Sequence, residues 1–217
     1  HKLKTGGMYF SVYSSEIKVD EDDIYLLYFI DETELRLTEK EFIDTRPSIM
    51  LTVVDNADEI YTDFKESDCA AIFSRTEQMI EQWAGAYGGL CRKYSNVRML
   101  IFLEERSLQR MISDKFSILD KVREFTYDGK STDLTLSIGI GHEKDLSESN
   151  NSAKQALDMA QSRGGDQVAI REGTNYKFFG GVSSGHEKNK TKYIYHSFDE
   201  HKKLQSYSQS LSSFDAQ

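Results

Sequence analysis

Residues 134–170 read LTLSIGIGHEKDLSESNNSAKQALDMAQSRGGDQVAI, and this stretch decides the fold. Its opening run alternates Leu134, Leu136, Ile138 and Ile140 with Thr135, Ser137, Gly139 and Gly141. Period-two alternation sends successive side chains to opposite faces of a strand, here with one apolar face in a core. A polar loop over 143–150 follows, and then Ala153, Ala156, Leu157 and Ala160 fall at helical spacing. Arg163, Gly164 and Gly165 stop that helix, because glycine accepts the left-handed conformation of a helix C-terminus. The same glycines could be taken for a phosphate loop, but they close a helix instead of opening one and lack Walker spacing. The chain re-enters a strand at 167–170, completing a strand–helix–strand unit.

Upstream, residues 48–54 (SIMLTVV) form a buried first strand that runs into Asp55, Asn56, Ala57, Asp58 and Glu59. Ile72, Phe73, Thr76, Met79, Ile80 and Trp83 recur at helical spacing across 67–86, and Gly88 and Gly89 end that helix. Two strands, 90–94 and 98–103, join tightly through Ser95, Asn96 and Val97. A second amphipathic helix carries Leu108, Met111, Ile112, Phe116, Leu119 and Val122. An alternating order of strands and helices with one hairpin inside it predicts an α/β layered sheet.

Nearer the start, residues 8–13 and 24–30 are β-rich and pair as a hairpin across the acidic turn Asp20, Glu21, Asp22 and Asp23. A lone hairpin is marginal, so further strands are expected before His1. Residues 34–44 place Leu35, Leu37, Phe42 and Ile43 among charges, an amphipathic connector that Pro47 ends. It carries too much apolar surface for a solvated linker, so self-association is expected there.

The chain has 217 residues, 38% of them hydrophobic and 12% aromatic, enough for one large domain or a medium one with appendages. A formal charge of −9 argues against a nucleic-acid polymer as partner, since phosphates need clustered Lys and Arg. No apolar run approaches the ~18 residues of a membrane helix. No signal-peptide pattern opens the sequence and residue 1 is His, so it reads as a piece of a longer chain. Cys69 and Cys91 lack metal spacing and read as buried, reduced thiols in a cytosolic compartment. The histidines at 1, 142, 186, 196 and 201 show no ligand spacing either, and Gly180-Gly181 reads as a turn.

Several words come in a telling order: VDNADE (54–59), KFSILDKVRE (115–124), LTLSIGIG (134–141), ALDMAQSRGGDQVAI (156–170), FFGG (178–181) and Glu187-Lys188. Together they resemble the degenerate GGDEF domain of the membrane-anchored cyclic-di-AMP phosphodiesterases. Asp31-Glu32-Thr33 is similar to the Asp-x-Thr junction that ends a PAS domain, where the last strand hands over to a signalling helix. There Asp31 or Thr33 can accept hydrogen bonds from the free N–H groups of the next turn. The resemblance covers residues 8–192. It implies a nucleotidyl-cyclase-like, ferredoxin-like sandwich with a central mixed sheet, preceded by the terminal hairpin of a PAS domain. The implied division is PAS strands over 1–31, a helical linker over 32–47 and the degenerate GGDEF domain over 48–192. It further implies upstream membrane helices that anchor a cytoplasmic portion, a homodimer, and a C-terminal DHH/DHHA1 phosphoesterase that holds Mg or Mn. Residues 193–217 depart from that pattern. They are Ser/Gln-rich, without Asp-His-His or a metal-ligand cluster, and read as a divergent, disordered tail. The expected function is therefore that of a regulatory region of a cyclic-di-AMP phosphodiesterase whose hydrolase lies outside this chain.

Active diguanylate cyclases hold Mg²⁺ with carboxylates from the first strand and from the GGDEF hairpin, because magnesium demands oxygen ligands. The resemblance sets that hairpin word on Ser95, Asn96, Val97, Arg98 and Met99, and the first-strand ligand on Val53. Both glycines and both acidic residues of the hairpin are thus replaced. Two unit charges ~4 Å apart interact by ~4 kcal/mol at an effective dielectric of ~20, so Arg98 beside a divalent ion would cost roughly twice that. Cyclase activity is not expected. The Arg-x-x-Asp inhibitory pattern is also missing before the hairpin, where the chain reads Gly88, Gly89, Leu90 and Cys91. The resemblance leaves weak ATP binding or hydrolysis, with Asp55, Asn56, Asp58 and Arg98 as the nucleotide-binding candidates and the helix start near Ser67 supplying N–H groups to a phosphate. The alternative for Asp55, Asn56 and Asp58 is an ordinary capping turn.

Overall fold

The computed structural model describes residues 1–19 and 22–180. Part of the acidic turn (20–21), Gly181, the 187–188 word and the tail from 193 lie outside the described residues. The first sheet holds three antiparallel strands in order, β1 (Lys2–Thr5), β2 (Met8–Val19) and β3 (Asp22–Asp31). The hairpin of β2 and β3 is longer than the sequence suggested, and β1 adds a strand on its far edge. Most of its apolar side chains lie about half in solvent, among them Tyr28, Phe29 and Ile30.

Helix α1 (Thr33–Asp44) follows with no buried residue. Thr33 N–H donates to Asp31 Oδ1 at 2.9 Å, so Asp31 starts the helix as expected, while Thr33 Oγ1 accepts instead from Tyr9 N–H. Strand β4 (Pro47–Asp55) then enters the main sheet, followed by α2 (Ala57–Asp63), α3 (Glu66–Ala86), β5 (Leu90–Ser95), β6 (Arg98–Glu104), α4 (Glu105–Ser113) and α5 (Ile118–Arg123). A two-stranded ribbon, β7 (Thr126–Tyr127) and β8 (Lys130–Ser131), precedes β9 (Thr135–Gly141), α6 (Leu146–Ser162), β10 (Gln167–Glu172) and β11 (Asn175–Gly180). The six-stranded sheet has the order β11-β10-β9-β4-β6-β5, with β9 and β10 parallel and the other neighbours antiparallel. It is a mixed central sheet in an α/β fold.

Alternation along the central strands sets the layers. Met50, Val54, Ile101, Leu136, Ile138 and Ile140 join Ile72, Ile80, Trp83, Leu108 and Phe116 in the larger core beneath α3, α4 and α5. Ile49, Leu51 and Val53 face the other way, onto Ala153 and Leu157 of α6. On that same face β9 offers no apolar side chain, only Thr135, Ser137, Gly139 and Gly141. An added Cβ at Gly141 would sit 2.0 Å from Ser149 O, and one at Gly139 would sit 2.2 Å from Ala153 O. The helix backbone therefore rests directly on the strand, which only glycine permits.

Four local expectations are corrected. The polar loop after β9 is shorter than 143–150, because Asp145 caps α6 by accepting from Ser147 and Glu148 N–H. The amphipathic helix expected across 108–122 is two helices, broken at Lys115 and Phe116, both at positive φ. The break turns Phe116, fully buried, between Trp83 and Phe179, which a continuous helix would not do. A short helix, α2, begins directly after Asn56, so Ser67 is not the first helix start beyond Asp55. Gly180 ends strand β11 at φ 83, and its partner in the expected turn, Gly181, lies outside the described residues. Cys69 is buried, but Cys91 is only half-buried on β5, an edge strand. Partial burial, then the Glu81 charge, pushes the Cys91 thiol up to about 11, which keeps it protonated.

Candidate functional site

The C-terminal end of β4 and the β5–β6 hairpin adjoin. Val53 is in register with Arg98, and Val54 N–H donates to Val97 O at 2.8 Å. Ser95 Oγ accepts from Val97 N–H at 3.4 Å, and the strand register shifts between Lys93 and Ser95. Ser95, Asn96 and Arg98 are exposed, whereas Met99 is buried in the larger core. The Arg98 guanidinium meets no acceptor among the described residues. By strand alternation it shares the α6 face with Val53 and Asp55.

Asp55 leans to the opposite side of β4, toward β9. Its Oδ2 accepts from Ser137 Oγ at 2.7 Å, Asp166 N–H at 3.2 Å and Thr135 Oγ1 at 3.3 Å. Gly165 packs so closely that an added Cβ would lie 2.9 Å from the same oxygen. Burial raises the Asp55 carboxyl above its ordinary range, and the hydrogen bonds from Ser137, Asp166, Gln161 and Thr135 oppose that rise. The carboxylate thus clamps the α6–β10 turn against two strands. Asn56 adopts the left-handed conformation at φ 58, which Asn tolerates, and its Nδ2 donates to Asp133 O at 3.2 Å. Asp58 is exposed in the first turn of α2 and its carbonyl accepts from Thr62 Oγ1. The structure therefore gathers the four candidates at one end of β4 but divides them: Arg98 on the hairpin side, Asp55 on the β9 side, Asn56 and Asp58 at the start of α2.

The fit to a divalent metal is poor. Val53, at the position the resemblance gives to the first-strand ligand, is packed against Ala153 and Leu157 in the smaller core. Asp55 Oδ2 already has three donors, and Arg98 stands where the hairpin would supply an anion. Among the described residues, no group of three or more His, Cys, Asp or Glu side chains is arranged to hold a metal.

Sequence reasoning missed Ser137, Thr135 and Asp166 as partners of Asp55. The polar positions of the TLSIG run were a signal, because they share a strand face with the glycines. It also missed a buried cluster at the far end of the sheet, where Glu105 Oε2 lies 3.1 Å from both Ser48 Oγ and His142 Nδ1. Nothing in the spacing of 48, 105 and 142 marks that meeting.

Solved structures with this fold include the active GGEEF domain of a diguanylate cyclase from Vibrio cholerae, at TM-score 0.53 and 15% identity over 64% of this chain and 91% of that one. A diguanylate cyclase/phosphodiesterase from Caldicellulosiruptor saccharolyticus also matches at TM-score 0.53, with 16% identity over 66% of this chain and 86% of that one. Identities this low establish the fold alone. In sequence, the chain is 37% identical over 175 residues to the cyclic-di-AMP phosphodiesterase GdpP of Bacillus subtilis, covering 79% of this chain and 26% of that protein. It is 34% identical over 165 residues to the cyclic-di-AMP phosphodiesterase PdeA of Listeria monocytogenes, covering 75% of this chain and 25% of that protein. The chain thus spans about a quarter of the length of these curated relatives. No helix among the described residues is long and apolar enough to cross a membrane. The family model for the GGDEF domain of cyclic-di-AMP phosphodiesterase GdpP-like proteins matches residues 52–178, more than half of the chain, and the chain belongs to that family.

Proposed function

We propose that this chain is the regulatory region of a cyclic-di-AMP phosphodiesterase, in which a PAS-like sheet signals through a linker helix to a GGDEF-like domain that makes no cyclic dinucleotide. On this reading the DHH/DHHA1 hydrolase, with its Mg or Mn, belongs to the full-length protein, which upstream helices anchor to the membrane. One observation carries the proposal: α1 is gripped at both ends and bare along its length. At its start, Glu32 N–H donates to Tyr9 O at 2.8 Å, and the Glu32 carboxylate accepts from Ser11 Oγ at 2.6 Å and Arg36 Nη2 at 2.9 Å. At its end, Arg106 of α4 reaches Glu41 at 2.7 Å, and Glu105 N–H donates to Arg46 O at 2.9 Å. A displacement of β3 is delivered through such a strut into β4 and α4. Leu35, Leu37, Phe42 and Ile43 are each 49–69% exposed, the apolar surface a second copy would cover in a homodimer. Sedimentation of the full-length protein is expected to give a dimer for wild type and a monomer for Leu37→Lys. The same monomeric mass for both would remove the dimer from the proposal.

A second reading, nucleotide binding, is favoured by the Arg98 guanidinium beside the end of β4, which has no acceptor among the described residues. A phosphate there would take a bidentate, charge-assisted pair of hydrogen bonds without a metal. Binding of ATP by calorimetry should then survive EDTA and weaken with added salt. Arg98→Ala should lower affinity roughly tenfold or more, since a hydrogen bond to a charged group contributes about 1.5–3 kcal/mol. Asn56→Ala should weaken it as well, through loss of the tie to Asp133. Binding that strictly requires Mg²⁺ and ignores Arg98→Ala would replace this account with a metal-dependent, weak ATPase.

A further inference from the structure

Glu105 opens α4 and is buried, at 7% exposure, at the end of the sheet opposite the hairpin. Its carboxylate is held from three elements. Ser48 Oγ of β4 donates to Oε2 at 3.1 Å, Gln109 Nε2 of α4 donates to Oε1 at 2.8 Å, and His142 Nδ1, just beyond β9, lies 3.1 Å from Oε2. The same first turn grips the linker's exit. Glu105 N–H donates to Arg46 O, and the neighbouring Arg106 joins Glu41 of α1 at 2.7 Å and Glu104 at 2.7 Å. Arg46 Nε is buried with no acceptor among the described residues, so opening this contact would return that donor to water. One carboxylate therefore joins the β9–α6 loop to the point where the linker enters the domain.

We propose that Glu105 and His142 form a proton-operated latch, in which protonated His142 fixes the first turn of α4 on the linker exit and loss of that proton loosens residues 41–46. Histidine alone among the cluster changes charge near neutrality. The charged groups facing it are Glu105 of α4, Glu143 of its own loop and Glu172 of β10, all acidic, so every neighbour favours the imidazolium. The hydrogen bond to Glu105 raises His142 above its ordinary 6.5, and burial only partly opposes this. For Glu105 the largest influence is burial, which raises it, but hydrogen bonds from His142, Gln109 and Ser48 with the imidazolium charge together hold it below its ordinary 4.5. The His142 contribution is then complete below 6.5 and is lost as pH rises through its raised value. The Glu105 contribution is complete above 4.5 and is lost as pH falls through its lowered value. The latch is closed between those limits and opens on the alkaline side.

Two readouts on the full chain test this. In an NMR titration the His142 midpoint should lie above 6.5 in wild type and fall toward 6.5 in Glu105→Gln. In hydrogen exchange, corrected for the intrinsic rate, protection of the Glu105 amide and of the last turn of α1 should fall between about pH 5.5 and about pH 8.5, as pH rises through the raised His142 value and the imidazolium is lost. In His142→Gln, which keeps a donor but does not titrate, protection should be the same at both values. A midpoint that ignores Glu105→Gln, wild-type protection that does not change, or a His142→Gln response like that of wild type would each overturn the latch. Its part in signalling rests on the linker reading above, whose test is the mass of Leu37→Lys, so the two can fail separately.

Discussion

Gly141→Val and Gly139→Val are expected to destabilise the chain by at least about 3 kcal/mol, the upper range for overpacking a filled interior. For a domain of this size that lowers the melting temperature by roughly 6–12 °C. The cause is backbone against backbone. The new Cβ would meet Ser149 O at 2.0 Å or Ala153 O and Leu157 N at 2.2 Å, and neither site holds a side-chain end that can swing aside. Helix α6 would have to lift, opening the core it forms with Ile49, Leu51 and Val53. Gly85 provides the control with the opposite sign. It lies inside α3 with nothing within 4 Å of an added Cβ, so Gly85→Ala should stabilise by about 0.5–1 kcal/mol. Thermal melts of the variants against wild type decide it, and a Gly141→Val protein that melts like wild type would show that the helix does not sit on the strand.

Incubation with GTP and Mg²⁺ or Mn²⁺ is expected to yield no cyclic-di-GMP above background. The expectation now has a geometric basis beyond missing carboxylates. Val53 is 6% exposed and enclosed by α6, so that position does not reach a ligand. Asp55, the nearest carboxylate, is turned to β9 and engaged by Ser137, Thr135 and the Asp166 amide. Arg98 puts a fixed positive charge on the hairpin. Product in a purified sample, abolished by Asp55→Ala, would overturn this view and return Asp55 to a metal.

The sequence by itself determined the layered sheet. The alternation of Leu136, Ile138 and Ile140, the helical spacing of Ala153, Ala156, Leu157 and Ala160 and the glycine stop at 164–165 are local signals, each set by the period of one element. The same holds for α1, whose apolar residues announced a helix that the domain does not bury. What failed were breaks that cost little in pattern but much in direction. Phe116 satisfies helical spacing, and only its burial between Trp83 and Phe179 forces two left-handed residues there. Strand β11 was hidden because Tyr176, Phe178 and Phe179 do not alternate cleanly.

The candidate site was legible only as a set of residues. That Asp55, Asn56, Asp58 and Arg98 crowd one end of β4 follows from adjacent strands, and the motif words carried that much. Which way each side chain turns does not. Asp55 is drawn to β9 by two hydroxyls and an amide that lie 80–111 residues away in the chain, and Arg98 on the far side of the same strand meets no acceptor among the described residues. The Glu105–His142 pair is the stronger case. Its members are 37 residues apart, and Ser48 is 57 from Glu105, without any shared spacing. Local periodicity encodes which face of an element is buried. Only the sheet order, β9 beside β4 beside β6, decides which buried polar groups meet, because hydrogen bonds and ion pairs act over a few ångströms and carry no trace along the chain.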